Sequence, residues 1–304
     1  MTAKELRQNI RRGSFVVPFI GVQLVAVVAM AAEFQVGHAS GASDFNGMLN
    51  PYLLVSSGPF WAAISVICLL IMPLGGLLLM GQEIEEGNHE LLLLTKLRRW
   101  HVVVGKFAPL WGLCALTFIS LLPFVVVRYM VGGIEWWHES ACGATILGGS
   151  AILCAGTIGA SAFKRIGARI AVLGLFIASV VAGCAIPLVG AAMATGGCGW
   201  LYHVTAVSAV ACYTVIGLAL ARSRLRLALM AYEANPSGMI IALLVFCPFV
   251  TGFVTATTGG YGGAGGLIGI ALIVWRMDLT PQLPPSMPAP PPNLPVASAQ
   301  ETAR

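Results

Sequence analysis

Residues 107–127 read FAPLWGLCALTFISLLPFVVV, 21 positions without an Asp, Glu, Lys or Arg. A helix crossing a hydrocarbon core about 30 Å thick needs roughly 20 mainly apolar residues, so this stretch reads as a membrane span. Scanning outward for the same pattern gives eight windows, at about 15–32, 60–80, 107–127, 144–163, 170–193, 203–221, 239–257 and 258–275. The last is the weakest, because 258–266 is mostly glycine and only 267–275 is strongly apolar. Long apolar runs, rather than alternating ten-residue strands, exclude a β-barrel. The expected fold is all-α, a polytopic helical membrane protein of about eight transmembrane helices.

Composition agrees. Of the 304 residues 58% are hydrophobic and 10% charged, where a soluble domain carries about 25% charged residues. Seventeen basic and 12 acidic residues cannot solvate a surface of this size. A water-soluble enzyme, a disordered protein and a nucleic-acid-binding domain are therefore excluded. The net charge of +5 has a topological cause. With the N-terminus in the cytoplasm, Lys4, Arg7, Arg11, Arg12, Lys96, Arg98, Arg99 and Lys106 lie inside. So do Lys164, Arg165, Arg169, Arg222, Arg224, Arg226, Arg276 and Arg304. That accounts for all but Arg128, in keeping with the enrichment of Lys and Arg in cytoplasmic loops. Arg128 falls at the outer end of the third window, where its side chain is expected to snorkel to the interface. Glu135, Trp136, Trp137 and Glu139 fall in the external loop that follows, the tryptophans as an interfacial belt. The expected location is the plasma membrane, a bacterial inner membrane, with both termini cytoplasmic.

Before the first window, Ala3, Leu6 and Ile10 share one helical face and Lys4, Arg7 and Arg11 another. This predicts an interfacial amphipathic helix on an anionic leaflet. Arg11-Arg12 before an apolar run also resembles a signal peptide, whose removal would leave seven spans. The tail from Thr280 holds eight of the 17 prolines and reads as an extended, disordered cytoplasmic segment over 280–304, after a transmembrane domain over 1–279. There is no internal repeat of the kind found in inverted-repeat carriers.

Few motifs carry chemistry. No Gly-x-x-x-x-Gly-Lys-[Ser/Thr] phosphate loop is present, so the chain has no usual means of binding ATP. Gly260-x-Gly262-x-x-Gly265 matches a dinucleotide fingerprint in letters only, since no strand precedes it; it reads as a tight turn with close helix packing, to which Gly262, Gly266 and Gly269 contribute. The eight cysteines lack zinc-ligand spacing, and most sit in windows as small apolar residues. Cys142 and Cys198 both fall near the outer face, where a disulfide is geometrically conceivable. The five histidines form no metal motif. No acid or base lies inside any window, so the energy of an ion-driven carrier has no obvious handle here.

The second cytoplasmic loop is the informative one: Gly81-Gln82-Glu83-Ile84-Glu85-Glu86-Gly87-Asn88-His89-Glu90-Leu91-Leu92-Leu93-Leu94-Thr95-Lys96-Leu97-Arg98-Arg99-Trp100, then Gly105-Lys106. An acidic cluster, a glycine break and four leucines flanked by bases describe a helix too apolar for free solution. It lies in the headgroups or docks on a partner. This run resembles the type-2 ABC transporter permeases, whose usual pattern is Glu-(Arg/Lys)-x-x-Gly-Thr-Leu-Glu-Leu-Leu-Leu-x-Thr-Pro. Glu83, Glu85, Gly87, Glu90, Leu91, Leu92, Leu94, Thr95, Gly105 and Lys106 match. Asn88 stands where Thr is usual and Lys96 where Pro is usual. The segment Glu5-Leu6-Arg7 through Arg11-Arg12 resembles the basic helix that opens such permeases. The resemblance covers residues 1–130; beyond them it is hydropathy alone, and the pair of windows after Ala231 departs from a six-span core.

The resemblance implies the membrane-spanning permease subunit of an ABC exporter. The chain itself would be no enzyme and hold no cofactor or metal. ATP would be bound by a cytosolic ATP-binding cassette ATPase subunit, gripped by a coupling element between spans two and three that uses Glu83, Glu85, Glu86, Gly87, Glu90, Leu91, Leu92, Leu94, Thr95, Gly105 and Lys106. A second copy or a related permease and membrane lipid would be the other partners, with no nucleic acid. Gln23, Ser65, Thr117, Ser120, Thr157, Ser161, Ser208, Tyr213, Thr214 and Thr251 offer a thin polar lining, suited to an amphipathic cargo. The alternative is a non-transporting membrane scaffold or assembly factor docking a cytosolic partner on the same loop. A lipid-modifying membrane enzyme is a third class, disfavoured by the lack of His, Asp and Glu clusters at a membrane face.

Overall fold

The computed structural model describes residues 13–36, 47–77, 99–132, 135–163, 165–225 and 238–277. Every regular element among them is helical: α1 (Gly13–Val36), α2 (Pro51–Ser56), α3 (Pro59–Leu74), α4 (Arg99–Gly132), α5 (Trp136–Ser161), α6 (Ile166–Thr195), α7 (Trp200–Leu225), α8 (Met239–Thr257) and α9 (Gly263–Arg276). Five of these, α4 to α8, are long and apolar enough to cross a membrane. Phe19–Gln35 within α1, α3 and α9 are shorter apolar helices. The chain is an all-α polytopic membrane protein.

Two elements depart from the simple spans the sequence suggests. The weakest window, 258–275, is a turn over Thr258–Gly262 followed by 14 helical residues, about 21 Å at 1.5 Å per residue and short of the hydrocarbon thickness. The second window contains α3, which is not uniform. Residues Val66–Ile71 form a π-helical turn in which the Met72 N–H donates to the Ile67 carbonyl, five residues back. Pro73 supplies the reason: it has no N–H to give, and its ring crowds the carbonyl four residues before it. α2 precedes α3 as a separate single-turn piece, broken off at Gly58, whose φ of 108° suits glycine.

α5 and α7 form the centre. Within their apolar windows 78% and 67% of residues are buried, against 28% in α4 and in α8, so the latter pair stands at the periphery of the bundle. The central helices can approach because small residues face each other. A Cβ built on Gly217 of α7 would stand 2.6 Å from the backbone carbon of Ala155 in α5, and one built on Gly159 would stand 2.7 Å from the Gly217 carbonyl oxygen. Backbone cannot swing aside as a side chain can. Gly217→Ala is therefore expected to force α5 and α7 apart and cost about 1–3 kcal/mol by overpacking. At Gly174 of α6 nothing lies within 4 Å of the added carbon, and Gly174→Ala is expected to stabilise by up to about 1 kcal/mol through helix propensity. Unfolding of the two detergent-solubilised variants beside wild type checks the opposite signs.

Packing around this centre forms two large groups and a small third one, in which Val103, Ala155, Ile158, Leu218 and Ala221 join α4, α5 and α7. Phe176, Tyr213, Leu244, Leu267 and neighbours unite α6, α7, α8 and α9, with the Tyr213 hydroxyl donating to the Ser179 carbonyl at 2.7 Å. Met30, Leu53, Trp61, Phe118, Leu121 and Ile146 unite α1, α2, α3, α4 and α5. The second group carries the site described next.

Candidate functional site

In the N-terminal group the buried stripes of α1, α4 and α5 each end on a charge. In α1, Ala26, Met30 and Glu33 are all nearly inaccessible. In α4 the same holds for Leu121, Val125 and Arg128, and in α5 for Glu139, Cys142 and Ile146. Steps of three and four residues put each set on one helical face. The helices pack along those faces, so their charged ends meet. Arg128 is 3% exposed, Glu33 4% and Glu139 2%.

One guanidinium holds two carboxylates there. Arg128 donates from Nε to Glu33 Oε1 at 2.7 Å and from Nη1 to Glu139 Oε1 at 2.6 Å. Its Nη2 donates to the Ser57 carbonyl at the break between α2 and α3. Trp61 Nε1 of α3 donates to Glu139 Oε2 at 3.1 Å. The Ser57 hydroxyl donates to the Leu53 carbonyl, so in its 2.8 Å contact with His138 Nε2 the histidine is the donor. Cys142 Sγ lies 3.5 Å from the same hydroxyl oxygen. Glu33 Oε2 is buried with no hydrogen-bond partner. Gly58 closes over this carboxylate: a Cβ there would sit 3.0–3.3 Å from its atoms. Burying three charges is costly, and such a group persists only with nearly complete pairing.

This corrects two expectations. Arg128 does not snorkel to the interface; the partners that hold it inside are Glu33 and Glu139. Glu139 is not in a loop, because α5 already begins at Trp136. Trp136 and Trp137, 58% and 76% exposed, do stand outward at the start of α5, as an aromatic belt requires. The charges escaped the windows by one to five residues, since α1 and α4 run on past 32 and 127 and α5 starts before 144. The three-residue spacing of Glu33 after Met30, of Arg128 after Val125 and of Glu139 before Cys142 is the signal that could have found them.

The polar residues proposed as a lining do not form one path. Gln23 Nε2 donates to Ser120 Oγ at 2.7 Å, and Ser120 donates to the Thr117 carbonyl, joining α1 to α4. Ser65, Thr157, Ser161, Ser208 and Thr251 each donate to a carbonyl three or four residues back in their own helix. Tyr213 bonds within the C-terminal core, and Thr214 Oγ1 is buried without a partner.

At the other end of α4, Trp100 meets Trp275 of α9 edge to face at 4.8 Å, and the Arg222 guanidinium of α7 lies 5.8 Å from the Trp100 ring centre. Gly105 and Lys106 fall inside α4, which is already helical at Arg99; Gly105 has open space where a Cβ would go. The remaining residues of the loop motif, Glu83, Glu85, Glu86, Gly87, Glu90, Leu91, Leu92, Leu94 and Thr95, lie outside the described residues. So do Glu5, Leu6, Arg7, Arg11 and Arg12 of the expected N-terminal helix.

The glycine-rich letters resolve as a turn. Gly259 and Gly260 have φ of 62° and 97°, and Gly260 packs on the Gly190 carbonyl of α6. Gly265 and Gly269 face open space, so close packing falls at Gly260 and Gly263. Cys142 and Cys198 are free thiols; Cys142 packs on Ser57, whereas Cys198 lies beside Gly47. In the α6–α7 connection, partial burial pushes the Cys198 thiol up from its ordinary value. Among the described residues no group of three His, Cys, Asp or Glu could hold a metal ion.

The chain matches no protein-family model, no curated protein and no solved structure.

Proposed function

We propose that the chain is the membrane-spanning permease subunit of an ABC exporter in a bacterial inner membrane, with both termini cytoplasmic, driven by a separate ATPase subunit. The observation that carries this reading is the run from Glu83 to Lys106, with its acids, glycine break and four leucines, leading directly into a span. The geometry at the far side of that run suits the role. The loop delivers the chain to Trp100, and Trp100 touches both Trp275 and Arg222. A displacement of the loop by an ATPase would pass at once to α4, α7 and α9. Nucleotide-driven closure then biases a helix bundle between two arrangements. Two copies, or this chain with a related permease, would complete the translocation unit, and the apolar bundle suits an amphipathic cargo.

The test is purification of the tagged full chain from its native membrane, with mass spectrometry of what accompanies it. A stoichiometric ATPase carrying a phosphate loop, whose ATP hydrolysis rises in the presence of the chain, is the expected result. A stable cytosolic partner without a phosphate loop would replace this reading with that of a docking scaffold.

A further inference from the structure

The cluster around Arg128 is unbalanced. Glu33 and Glu139 share one guanidinium, so the three groups sum to −1 when all are ionised. Among the described residues no second Lys or Arg pairs with it, and the other polar or ionisable groups that face it are few. From α5 these are His138, which donates to Ser57, the Cys142 thiol, and Glu135 at the cap of the helix. From α3 comes the neutral indole of Trp61, and from the α2–α3 break the Ser57 carbonyl and Gly58. The two carboxylates are also unequally served. Both oxygens of Glu139 accept a hydrogen bond, one from Arg128 and one from Trp61. Glu33 accepts at Oε1 only, and Oε2 is buried and unpartnered.

A bare carboxylate oxygen out of water without a donor is far costlier than a neutral hydroxyl in the same place. A metal ion does not fit the gap. It needs several oxygen ligands, whereas Arg128 Nε sits 2.7 Å from the other oxygen of this carboxylate and Gly58 packs directly over it. A proton needs neither room nor further ligands. We propose that Glu33, Arg128 and Glu139 form a proton-binding site in which the two carboxyl groups hold one proton between them, carried on Glu33 Oε2, while Glu139 remains the carboxylate bound by Arg128 and Trp61. The cluster lies within one helical turn of the exposed Trp136 and Trp137, three and two residues before Glu139. Proton release leaves an uncompensated negative charge between α1 and the Ser57–Gly58 break. It weakens the seam joining α1, α2 and α3 to α4 and α5. The proposal is independent of which partner docks at the other end of α4.

Infrared spectroscopy of the full chain in lipid nanodiscs reads the site directly, because a protonated carboxylic acid has a carbonyl stretch distinct from that of a carboxylate. Wild type is expected to show such a band, abolished in Glu33→Gln. Since glutamine imitates the neutral carboxyl, Glu33→Gln is also expected to keep the wild-type unfolding midpoint, whereas Glu139→Gln lowers it. Absence of the band at every pH at which the chain is folded would overturn the proposal, as would its persistence in Glu33→Gln. A fall in midpoint, or failure to fold, on Glu33→Gln would make the cluster a structural ion pair. A rise in the wild-type midpoint when sodium replaces choline at constant pH and ionic strength would make the neutralising cation an alkali ion instead.

Discussion

Arg128→Met is expected to cost the folded chain about 3–5 kcal/mol, the range for removing one partner of a buried ion pair. Methionine fills much of the space of the arginine stem, so the loss is not chiefly one of packing. It comes from what stays behind. Glu33 Oε1 and Glu139 Oε1 lose their donors, as does the Ser57 carbonyl, and all three are closed off from water. A chain carrying Arg128→Met, Glu33→Gln and Glu139→Gln together is expected to recover most of the loss, because no uncompensated charge remains. Unfolding midpoints of the solubilised wild type, single and triple variants check this. A single variant as stable as wild type would mean that Arg128 is solvated at the interface after all. A triple variant no better than the single would shift the cause from charge to shape.

That prediction concerns residues on which a hydropathy reading is weakest. Apolar runs locate the helices well. The window 239–257 coincides with α8, and 107–127 lies wholly inside α4. A window closes at its first charge, however, and a helix does not. Glu33, Arg128 and Glu139 therefore read as loop ends although each continues a buried stripe. Only the packing of three stripes from distant parts of the sequence shows that one arginine holds both carboxylates, and no local pattern contains that pairing. The break at Gly58 and the π turn before Pro73 are similar. Glycine and proline mark where a helix is disturbed, while the form of the disturbance depends on the neighbours. Apolarity also overstates the reach of α9, since 258–262 counts toward a window but adopts positive φ at Gly259 and Gly260. At the other end of α4 the sequence says more than the fold. The motif from Glu83 to Thr95 is legible in letters, and the structure contributes the seat of Trp100 between Arg222 and Trp275.

Leu92→Asp together with Leu94→Asp is expected to abolish association with the ATPase subunit proposed above while leaving membrane insertion intact. Successive side chains on a helix turn by about 100°, so on the coupling helix proposed for this run four adjacent leucines would sweep most of the circumference and could not all face lipid. Some must meet protein. Each buried leucine contributes roughly 1.5–3 kcal/mol, and at about 1.4 kcal/mol per tenfold the loss of two weakens docking by roughly a hundredfold or more. The aspartates also add charge beside Glu85, Glu86 and Glu90, which reinforces the effect on an acidic docking face. Neither substitution touches an apolar window or the Trp100 seat, so the bundle should assemble as before. A helix lying passively in the headgroups gives a different result: the variant would perturb lipid near the loop and leave the partner bound. Pull-down of the ATPase subunit and its chain-stimulated ATP hydrolysis, with wild type and the double variant at matched expression, separate the two. Unchanged co-purification with unchanged stimulation would remove the coupling role from 83–106 and, with it, the mechanism proposed for the chain.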